Sequence, residues 1–284
     1  MRREMFKIIF NLSKKQPWLD DAENALNSLL FDECQSDEER KLILELIERF
    51  TYIEDDNFRK YLKLMALDIK QIPQLDVVSS QIVGLAGDSN SDSSQYIVYG
   101  LKSILGKENC LIKKFEVNFQ KAFGNFKKDN YSTIILVDEF IGTGQTVLGR
   151  INRIKAQFNA SHIDENCYKI YVKSLVSTEQ GLKFLKQNKI DVTTQILLKK
   201  GIDDYYTNSE AELLKKRMID LENRCLSSNY QGKDMPSLGY GQTQALYYRQ
   251  DINVPNNVFP IFWWKKSANA NDRNVLIFRN MDAL

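Results

Sequence analysis

The chain has 284 residues, of which 43% are hydrophobic and 27% are charged, a composition typical of a globular protein that can bury its own core. Its 39 basic residues nearly balance its 37 acidic ones, which argues against strong non-specific nucleic-acid binding because that needs a clustered basic excess. The four cysteines form no C-x-x-C pair, so they indicate free thiols in a reducing compartment rather than a disulfide framework or a zinc site.

Residues 1–70 are predicted to form an N-terminal helical extension. Ser36-Asp37-Glu38-Glu39 has the form of a capping box, in which Ser36 accepts a hydrogen bond from the amide of Glu39 and Glu39 reaches back. Apolar residues then recur at helical spacing, from Leu42 to Phe50 and again from Tyr61 to Ile69. The segment contains no strand-like run. It is compatible with packing on the core, with formation of a homodimer and with contact to a partner.

From about residue 76, strand-like and helical runs alternate. The run from Ile134 to Val137 is continuously apolar, as expected of a central strand buried on both faces. This βαβα order predicts an α/β fold with a parallel sheet and helices on its faces, within a domain that spans residues 71–284. The predicted strands are Val77 to Leu85, Thr133 to Val137, Tyr168 to Val176 and Asp191 to Leu198. The predicted helices are Tyr96 to Leu105, Thr146 to Phe158, Glu179 to Gln187 and residues 209–227.

The segment from Val137 to Thr146 carries the most informative chemistry, with the sequence Val-Asp-Glu-Phe-Ile-Gly-Thr-Gly-Gln-Thr. Ligands of open parallel sheets bind outside the carboxyl ends of the strands, which is where the Asp-Glu pair lies. Gly142 and Gly144 allow positive φ angles and a close approach of the backbone to a ligand. The amides from Thr143 to Thr146 would then converge at a helix N-terminus, a position that favours a phosphate.

Two other kinds of phosphate loop are excluded. A P-loop needs Lys-Ser/Thr after its last glycine, where Gln145-Thr146 stands in this chain. A dinucleotide-binding loop needs Gly-x-Gly-x-x-Gly, and the next glycine after Gly144 is Gly149, which comes too late. Asp138 and Glu139 would also repel a pyrophosphate on the loop. Facing ribose hydroxyls with Mg²⁺ nearby, the same carboxylates would accept strong hydrogen bonds.

The order of apolar strand, Asp-Glu, three residues and Thr-Gly-x-Thr resembles the phosphoribosyl-diphosphate signature of type I phosphoribosyltransferases. The resemblance implies a core of that family, in which Asp138 and Glu139 are the catalytic acids that bind the ribose 2- and 3-hydroxyls and hold Mg²⁺ indirectly. It assigns the 5-phosphate to Gly142, Thr143, Gly144, Gln145 and Thr146. The family often has Asp-Asp or Glu-Asp at the acid pair, so Asp-Glu is a mild departure.

In that family the loop after the first core strand contacts pyrophosphate. The resemblance therefore makes the following residues candidates for a pyrophosphate loop: Asp88, Ser89, Asn90, Ser91, Ser93 and Ser94. The match is one of position more than of residues, because Asp88 and Asp92 would oppose a bare pyrophosphate unless a metal is present. The alternative is a polar loop in which Ser93 or Ser94 caps the next helix.

The C-terminal part contains Gly239-Tyr240-Gly241-Gln242 and, later, Pro255-Asn256-Asn257 before an apolar, aromatic run. These features are similar to phosphoribosyltransferase-like domains of bacterial conflict systems, some of them partners of retrons in antiphage defence. By analogy, residues from about 228 to 284 would form a hood over the second substrate, with Tyr240, Asn256 and Asn257 as candidates. Aromatic faces could stack on a nucleobase, but for Trp263 and Trp264 we favour burial in the core.

Two further residues are of a type that often carries function. His162 is the only histidine, so neither a Ser-His-Asp triad nor a multi-histidine metal site is readily formed, and a surface position is expected. Lys173 lies inside a strand-like run and is a weaker candidate for neutralising a phosphate.

The favoured function is an enzyme that acts at the anomeric carbon of phosphoribosyl diphosphate or a ribonucleotide 5-phosphate, with Mg²⁺ as cofactor, as a defence effector by the resemblance. The alternatives are a nucleotide-binding sensor that controls a partner protein or ribonucleoprotein, and a hydrolase that cleaves nucleotides or NAD. No run approaches the roughly 18 apolar residues of a membrane helix, and the first residues lack a signal-peptide cleavage pattern. We therefore expect a cytoplasmic protein.

Overall fold

A computed structural model describes residues 2–87 and 93–281 of the chain. Its α-helices are α1 (Arg2–Lys15), α2 (Glu23–Asn27), α3 (Asp37–Glu48), α4 (Asp55–Lys70), α5 (Ser94–Lys107), α6 (Lys121–Asp129), α7 (Gln145–Ala160), α8 (Glu179–Gln187) and α9 (Asn208–Cys225). Its strands are β1 (Thr51–Ile53), β2 (Ser80–Ala86), β3 (Lys114–Asn118), β4 (Thr133–Ile141), β5 (Lys169–Thr178), β6 (Asp191–Leu198), β7 (Asn229–Tyr230), β8 (Lys233–Asp234) and β9 (Tyr247–Arg249).

The largest sheet has five strands in the order β3-β2-β4-β5-β6, and the pairs β2–β3, β2–β4 and β4–β5 are parallel. The predicted α/β fold with a parallel sheet is therefore confirmed. β4 is the central strand. The chain runs outward from β2 to β3 on one side and then crosses to β4 on the other. The topological switch point, where ligands of such sheets bind, thus lies between the carboxyl ends of β2 and β4.

The two faces of this sheet differ in character. On one face Leu136 and Val172 pack with Ile151 and Phe158 of α7 in an apolar cluster. On the other face, Lys173 lies 3.1 Å from Asp68 of α4 through Nζ and Oδ1, and its side chain is only 5% exposed. Side chains of β4 alternate between these faces as far as Asp138, whereas Ile141 at the end of the strand joins the apolar cluster out of that alternation.

Contacts divide the chain into two compact units, residues 55–197 and residues 1–54 with 198–284. The sequence instead predicts a domain boundary after residue 70, and that boundary stays a prediction. The expectation that residues 1–70 contain no strand is wrong. Thr51–Ile53 forms β1, which pairs in parallel with β9, almost two hundred residues later in the chain. A strand of three residues owes its existence to this distant partner, so local periodicity cannot reveal it.

Within the unit of residues 1–54 and 198–284, the capping box is confirmed. Ser36 Oγ accepts a hydrogen bond from the Glu39 amide at 3.1 Å, and Glu39 Oε2 accepts one from the Gln35 amide at 2.7 Å. Glu39 also pairs with Arg224 of α9 at 2.7 Å. Two effects lower the pKa of Glu39 against the opposing effect of burial: the Arg224 pair and the backbone hydrogen bonds. One carboxylate therefore both caps α3 and ties it to α9.

The aromatic run near the C-terminus is core. Trp263 is 1% exposed and Trp264 is 2% exposed, which confirms the favoured interpretation for both. Their indole N–H groups donate to the Val258 carbonyl at 2.8 Å and to Ser227 Oγ at 3.0 Å. The four cysteines are free thiols, also as predicted. Within the described ranges no helix has the length and apolar content needed to cross a membrane.

We expect the stability of the fold to depend on pH through Glu222. Its side chain is buried, accepting hydrogen bonds from Ser237 Oγ (2.6 Å) and the Leu238 amide (3.1 Å), and burial raises its pKa from 4.5 to about 7. The folded state therefore keeps this proton at pH values where the unfolded chain has lost it. The stabilisation is complete below pH 4.5 and is lost as the pH rises to about 7.

The free energy of unfolding should accordingly fall across this window by a Glu222 contribution on the order of 3 kcal/mol. Urea denaturation of the wild type and of Glu222→Gln at several pH values measures the effect. The variant should show a flatter dependence on pH, and equal slopes for the two proteins would contradict the assignment.

Candidate functional site

The acid pair lies inside the central strand rather than beyond its end. β4 continues to Ile141, four residues past the predicted end, because its register with β5 extends to the pair Ile141–Ser177. Asp138 is half-buried, whereas Glu139 is 1% exposed. The acid accessible to a ligand is therefore Asp138.

Asp138 lies on the face that carries the apolar cluster and α7, since it has the same parity as Leu136. Its Oδ1 accepts a hydrogen bond from the Glu139 amide at 2.8 Å, which fixes the direction of the carboxylate at the end of the sheet. Its partner in register on β5 is Ser174. Lys173 of β5 is paired with Asp68 on the other face of the sheet, so its amine does not lie on the side of Asp138.

The loop after β4 leads directly into the N-terminus of α7. Gly144 occupies the N-cap position with φ 79°, in the left-handed region. Within the described chain Gly142 is not among the residues with positive φ, so the expectation held for Gly144 alone. Gln145 and Thr146 are exposed, and Thr143 is half-buried. All five residues predicted to bind the phosphate thus form one continuous turn.

The electrostatics of this helix N-terminus suit an anion. The first amides of an α-helix have no acceptor within the helix and carry the positive end of its dipole. Gly144 at the N-cap has no side chain to cap α7, Thr143 Oγ1 accepts only a long hydrogen bond of 3.4 Å from the Gln145 amide, and the first turn contains no acidic residue. The amides of the turn are therefore suited to bind a ligand that brings its own oxygen acceptors, as a phosphate does.

The start of α8 packs against this loop and is hydrogen-bonded to it, a contact that the sequence did not indicate. Thr178 Oγ1 donates to the Gly142 carbonyl at 2.6 Å and accepts from the Gly181 amide at 2.9 Å. A Cβ on Gly181 would lie 2.1 Å from the Gly142 carbonyl oxygen, far inside van der Waals contact. Gly181 is thus required by close packing of two backbone segments, and it holds the shape of the turn between β4 and α7.

Most of the proposed pyrophosphate loop, namely Asp88, Ser89, Asn90 and Ser91, lies outside the described residues. Ser93 stands at the N-cap of α5 with helical φ and ψ and makes no side-chain cap, so the capping role suggested for it is not observed. Ser94 follows as the first helical residue and is buried. These two remain candidates only by their position after β2.

Arg150 is a candidate that sequence reasoning missed. It lies one turn into α7, where its guanidinium covers the ring of Phe119 at 4.6 Å from the centroid. The same group lies against the last described residue after β2, since a Cβ on Gly87 would be 2.8 Å from Arg150 Cζ. Its Nε is buried without a hydrogen-bond partner, and no carboxylate of the described chain pairs with it. A cation is therefore held at the carboxyl end of β2, beside the switch point.

The family of the chain follows from comparison with known proteins. Residues 16–279 match the family PRTase-CE. The chain belongs to the PRTase-CE family. Membership supports phosphoribosyltransferase-like chemistry, at the coarse level of a transferase with its substrate unspecified.

Two solved phosphoribosyltransferases resemble this PRTase-CE chain at low similarity. The orotate phosphoribosyltransferase from Aeropyrum pernix has 13% identity and a TM-score of 0.31, covering 50% of this chain and 72% of its own. The xanthine-guanine-hypoxanthine phosphoribosyltransferase of Helicobacter pylori has 13% identity and a TM-score of 0.30, covering 52% and 83%. No curated protein matches the chain.

The hood candidates of this PRTase-CE chain lie together in the unit of residues 1–54 and 198–284. The Tyr240 amide donates to the Asn256 carbonyl at 2.8 Å, and Asn257 Nδ2 donates to the Tyr240 carbonyl at 2.9 Å. Gly239, at φ 79°, lets the two segments touch, because a Cβ there would lie 1.9 Å from the Asn257 carbonyl oxygen. Asn257 thus ties the loop together, while the ring of Tyr240 stays exposed.

His162 and the expected metal ion are the last two features of the site to place. His162 is exposed in the turn after α7, as predicted. Over the described ranges, no three His, Cys, Asp or Glu side chains group closely enough to hold a metal by themselves. Mg²⁺ is commonly bound by one or two carboxylates together with substrate phosphates. A half-buried Asp138 near the uncapped N-terminus of α7 fits that arrangement.

Proposed function

We propose that the chain binds phosphoribosyl diphosphate, or a ribonucleotide 5-phosphate, and transfers the phosphoribosyl group at its anomeric carbon. The proposal rests mainly on one observation: an uncapped helix N-terminus without acids stands beside an accessible carboxylate at the switch point of the sheet. The first element suits a 5-phosphate, and the second suits a sugar hydroxyl. Family membership supports the same class of chemistry.

In this proposal each group has a separate task. The amides of Thr143 to Thr146 anchor the 5-phosphate, and Asp138 orients the sugar by accepting a hydrogen bond from a ribose hydroxyl. Arg150 neutralises the leaving pyrophosphate. The bond from the anomeric carbon to the pyrophosphate oxygen breaks, and the acceptor forms the new bond to that carbon. Catalysis then consists of positioning and charge stabilisation. Mg²⁺, which Asp138 would hold together with the pyrophosphate, would supply further neutralisation of the leaving group.

Isotope-detected release of pyrophosphate from phosphoribosyl diphosphate, over a panel of bases, amines and water, tests the proposal. Release that needs both Mg²⁺ and an acceptor supports it. Tight binding without turnover would favour the sensor instead, an alternative to which the burial of Glu139 lends some support because one acid alone remains accessible. Hydrolysis of NAD or a nucleotide, identified by mass spectrometry of the products, would favour the glycosidase.

Arg150 provides a selective prediction within this proposal. Replacing Arg150 by Gln should weaken binding of phosphoribosyl diphosphate by about tenfold, since a charge-assisted hydrogen bond contributes roughly 1.5–3 kcal/mol. Binding of ribose 5-phosphate, which lacks the pyrophosphate, should change by less than about twofold. Calorimetry with both ligands measures the difference, and Arg153→Gln, exposed on the same helix, is the matched control. Equal losses for the two ligands would contradict the assigned role.

A role as a defence effector is a proposal that rests on the resemblance of the C-terminal segment alone. Partners of the kind expected there, a protein or a ribonucleoprotein, belong to the same proposal, as does a homodimer. Challenge of cells with phage, comparing the wild-type chain with Asp138→Asn, tests whether protection depends on the site. Protection that survives the substitution would separate any defence role from this chemistry.

A further inference from the structure

A second site-like feature lies in the unit of residues 1–54 and 198–284, apart from the residues used above. It is a cleft of about 430 Å³, a volume within the usual range for small-molecule sites. Its walls include the side chains of Trp18, Tyr52 and Tyr248. The centroids of these rings are 5.7 Å (Trp18–Tyr52), 5.8 Å (Tyr52–Tyr248) and 6.1 Å (Trp18–Tyr248) apart. The three rings thus pack into one aromatic cluster that lines the cleft.

Strand pairing and hydrogen bonds determine the position of this aromatic cluster. Tyr52 and Tyr248 are partners in register on the paired strands β1 and β9, so their side chains lie on the same face. Trp18 is held by a hydrogen bond from its indole N–H to Gln16 Oε1 at 2.8 Å. Gln16 in turn donates to the Phe50 carbonyl, at 3.0 Å, next to β1. Trp18 is therefore fixed through Gln16 to the backbone, and the two tyrosines are fixed by the register of their strands.

The charged side chains that line the cleft beside the aromatic cluster are acidic. Asp21 and Asp251 line the cleft, and no Lys, Arg or His does so among the described residues. Neither carboxylate makes an ion pair with a described residue, and the same is true of Glu54 nearby. Burial raises the pKa of Tyr52 to about 12, with Tyr248, Glu54 and Asp251 adding to the shift. The hydroxyl of Tyr52 thus lies in a region of negative potential.

Ring faces and carboxylates attract the same kind of ligand. The face of an aromatic ring carries partial negative charge, and it attracts ammonium groups through cation–π contact. Unpaired carboxylates add direct attraction for a cation. Anionic ligands such as phosphates or nucleotides would be repelled by the same groups, and a neutral nucleobase would gain hydrogen bonds but no attraction between opposite charges from the acids. We propose that this cleft binds a small organic cation that carries an ammonium group.

The proposal does not depend on the transferase function, because it uses none of the same residues. Choline is a suitable probe, and 3,3-dimethyl-1-butanol is its uncharged counterpart of the same shape. Ligand-observed NMR titration of the full chain should give a Kd for choline on the order of 1 mM, with at least about tenfold weaker binding of the alcohol. Equal binding of the two compounds, or no binding of choline, would overturn the proposal.

Variants separate the contributions of charge and rings. The double substitution Asp21→Asn with Asp251→Asn should weaken choline binding by about fivefold or more, and both sites are exposed, so the fold should be unaffected. Tyr52→Phe, which keeps the ring, should stay within about twofold, whereas Tyr52→Leu should lose about tenfold. Glu210→Gln, an exposed acid on α9, is the control. Unchanged affinity in the double variant, or tighter binding of adenosine than of choline, would refute the site.

Discussion

Replacing Asp138 by Asn is expected to lower kcat/KM for phosphoribosyl transfer by roughly 10- to 100-fold. Asn keeps the size of the side chain but removes the charge. A hydrogen bond from a sugar hydroxyl to a carboxylate contributes about 1.5–3 kcal/mol, and each 1.4 kcal/mol corresponds to a factor of ten in rate. The structural role of the side chain should survive, because the Asn carbonyl can still accept from the Glu139 amide. Steady-state pyrophosphate release measures the loss.

Two matched variants make this prediction specific. Glu139→Gln should cost less than Asp138→Asn in turnover, because the Glu139 side chain is only 1% exposed. Asp191→Asn should leave turnover unchanged, since Asp191 is exposed at the amino end of β6, away from the carboxyl ends that form the site. A loss at Glu139 that exceeds the loss at Asp138 would mean that the buried acid is the one that meets the sugar.

Replacing Gly181 by Ala should cost about 1–3 kcal/mol of stability and weaken binding of ribose 5-phosphate by at least about tenfold. The added Cβ would lie 2.1 Å from the Gly142 carbonyl oxygen, and the obstacle is backbone, so it cannot be relieved by rotating a side chain. Either α8 or the loop from Gly142 to Gly144 must move. Since that loop positions the amides of the phosphate-binding turn, affinity should fall together with stability.

Gly149→Ala is the control for this substitution. Gly149 lies in α7, and a Cβ there would have no neighbour within 4 Å. Alanine in a helix is favoured over glycine by about 1 kcal/mol, so this variant should be slightly more stable and should bind ribose 5-phosphate as well as the wild type. Urea denaturation and calorimetry on both variants distinguish the two cases. Wild-type affinity for ribose 5-phosphate in Gly181→Ala would show that the packing of α8 on the loop does not shape the site.

The parts of the fold that local pattern predicted are those with a strong apolar signal. The apolar run starting at Ile134 was correctly assigned to a buried strand, and the bounds of α8 and β6 match the predicted ones. β3 and α6 were missed. β3 is an edge strand of mixed charged and apolar residues, none of them fully buried, so its pattern is weak. The end of β4 was misplaced because its last four residues are strand only through their pairing with β5.

In the candidate site, too, the features with a local sequence signal could be predicted, and those that depend on distant contacts could not. Its residue types and their spacing are local, so the acids, Gly144 and the threonines could be recognised from the sequence. Which acid is accessible depends on how the end of β4 packs against its neighbours, and the sequence alone does not determine that packing. The roles of Arg150 and Gly181 follow from their contacts with Gly87 and Gly142. These residues are distant in the chain, and no sequence pattern predicts such contacts.

The most direct test of the account is a crystal structure of the chain with ribose 5-phosphate. It should show phosphate oxygens within hydrogen-bonding distance of the Thr143 to Thr146 amides and a ribose hydroxyl on the carboxylate of Asp138. A sugar phosphate bound elsewhere, or bound at this turn with its ring turned away from Asp138, would contradict the account.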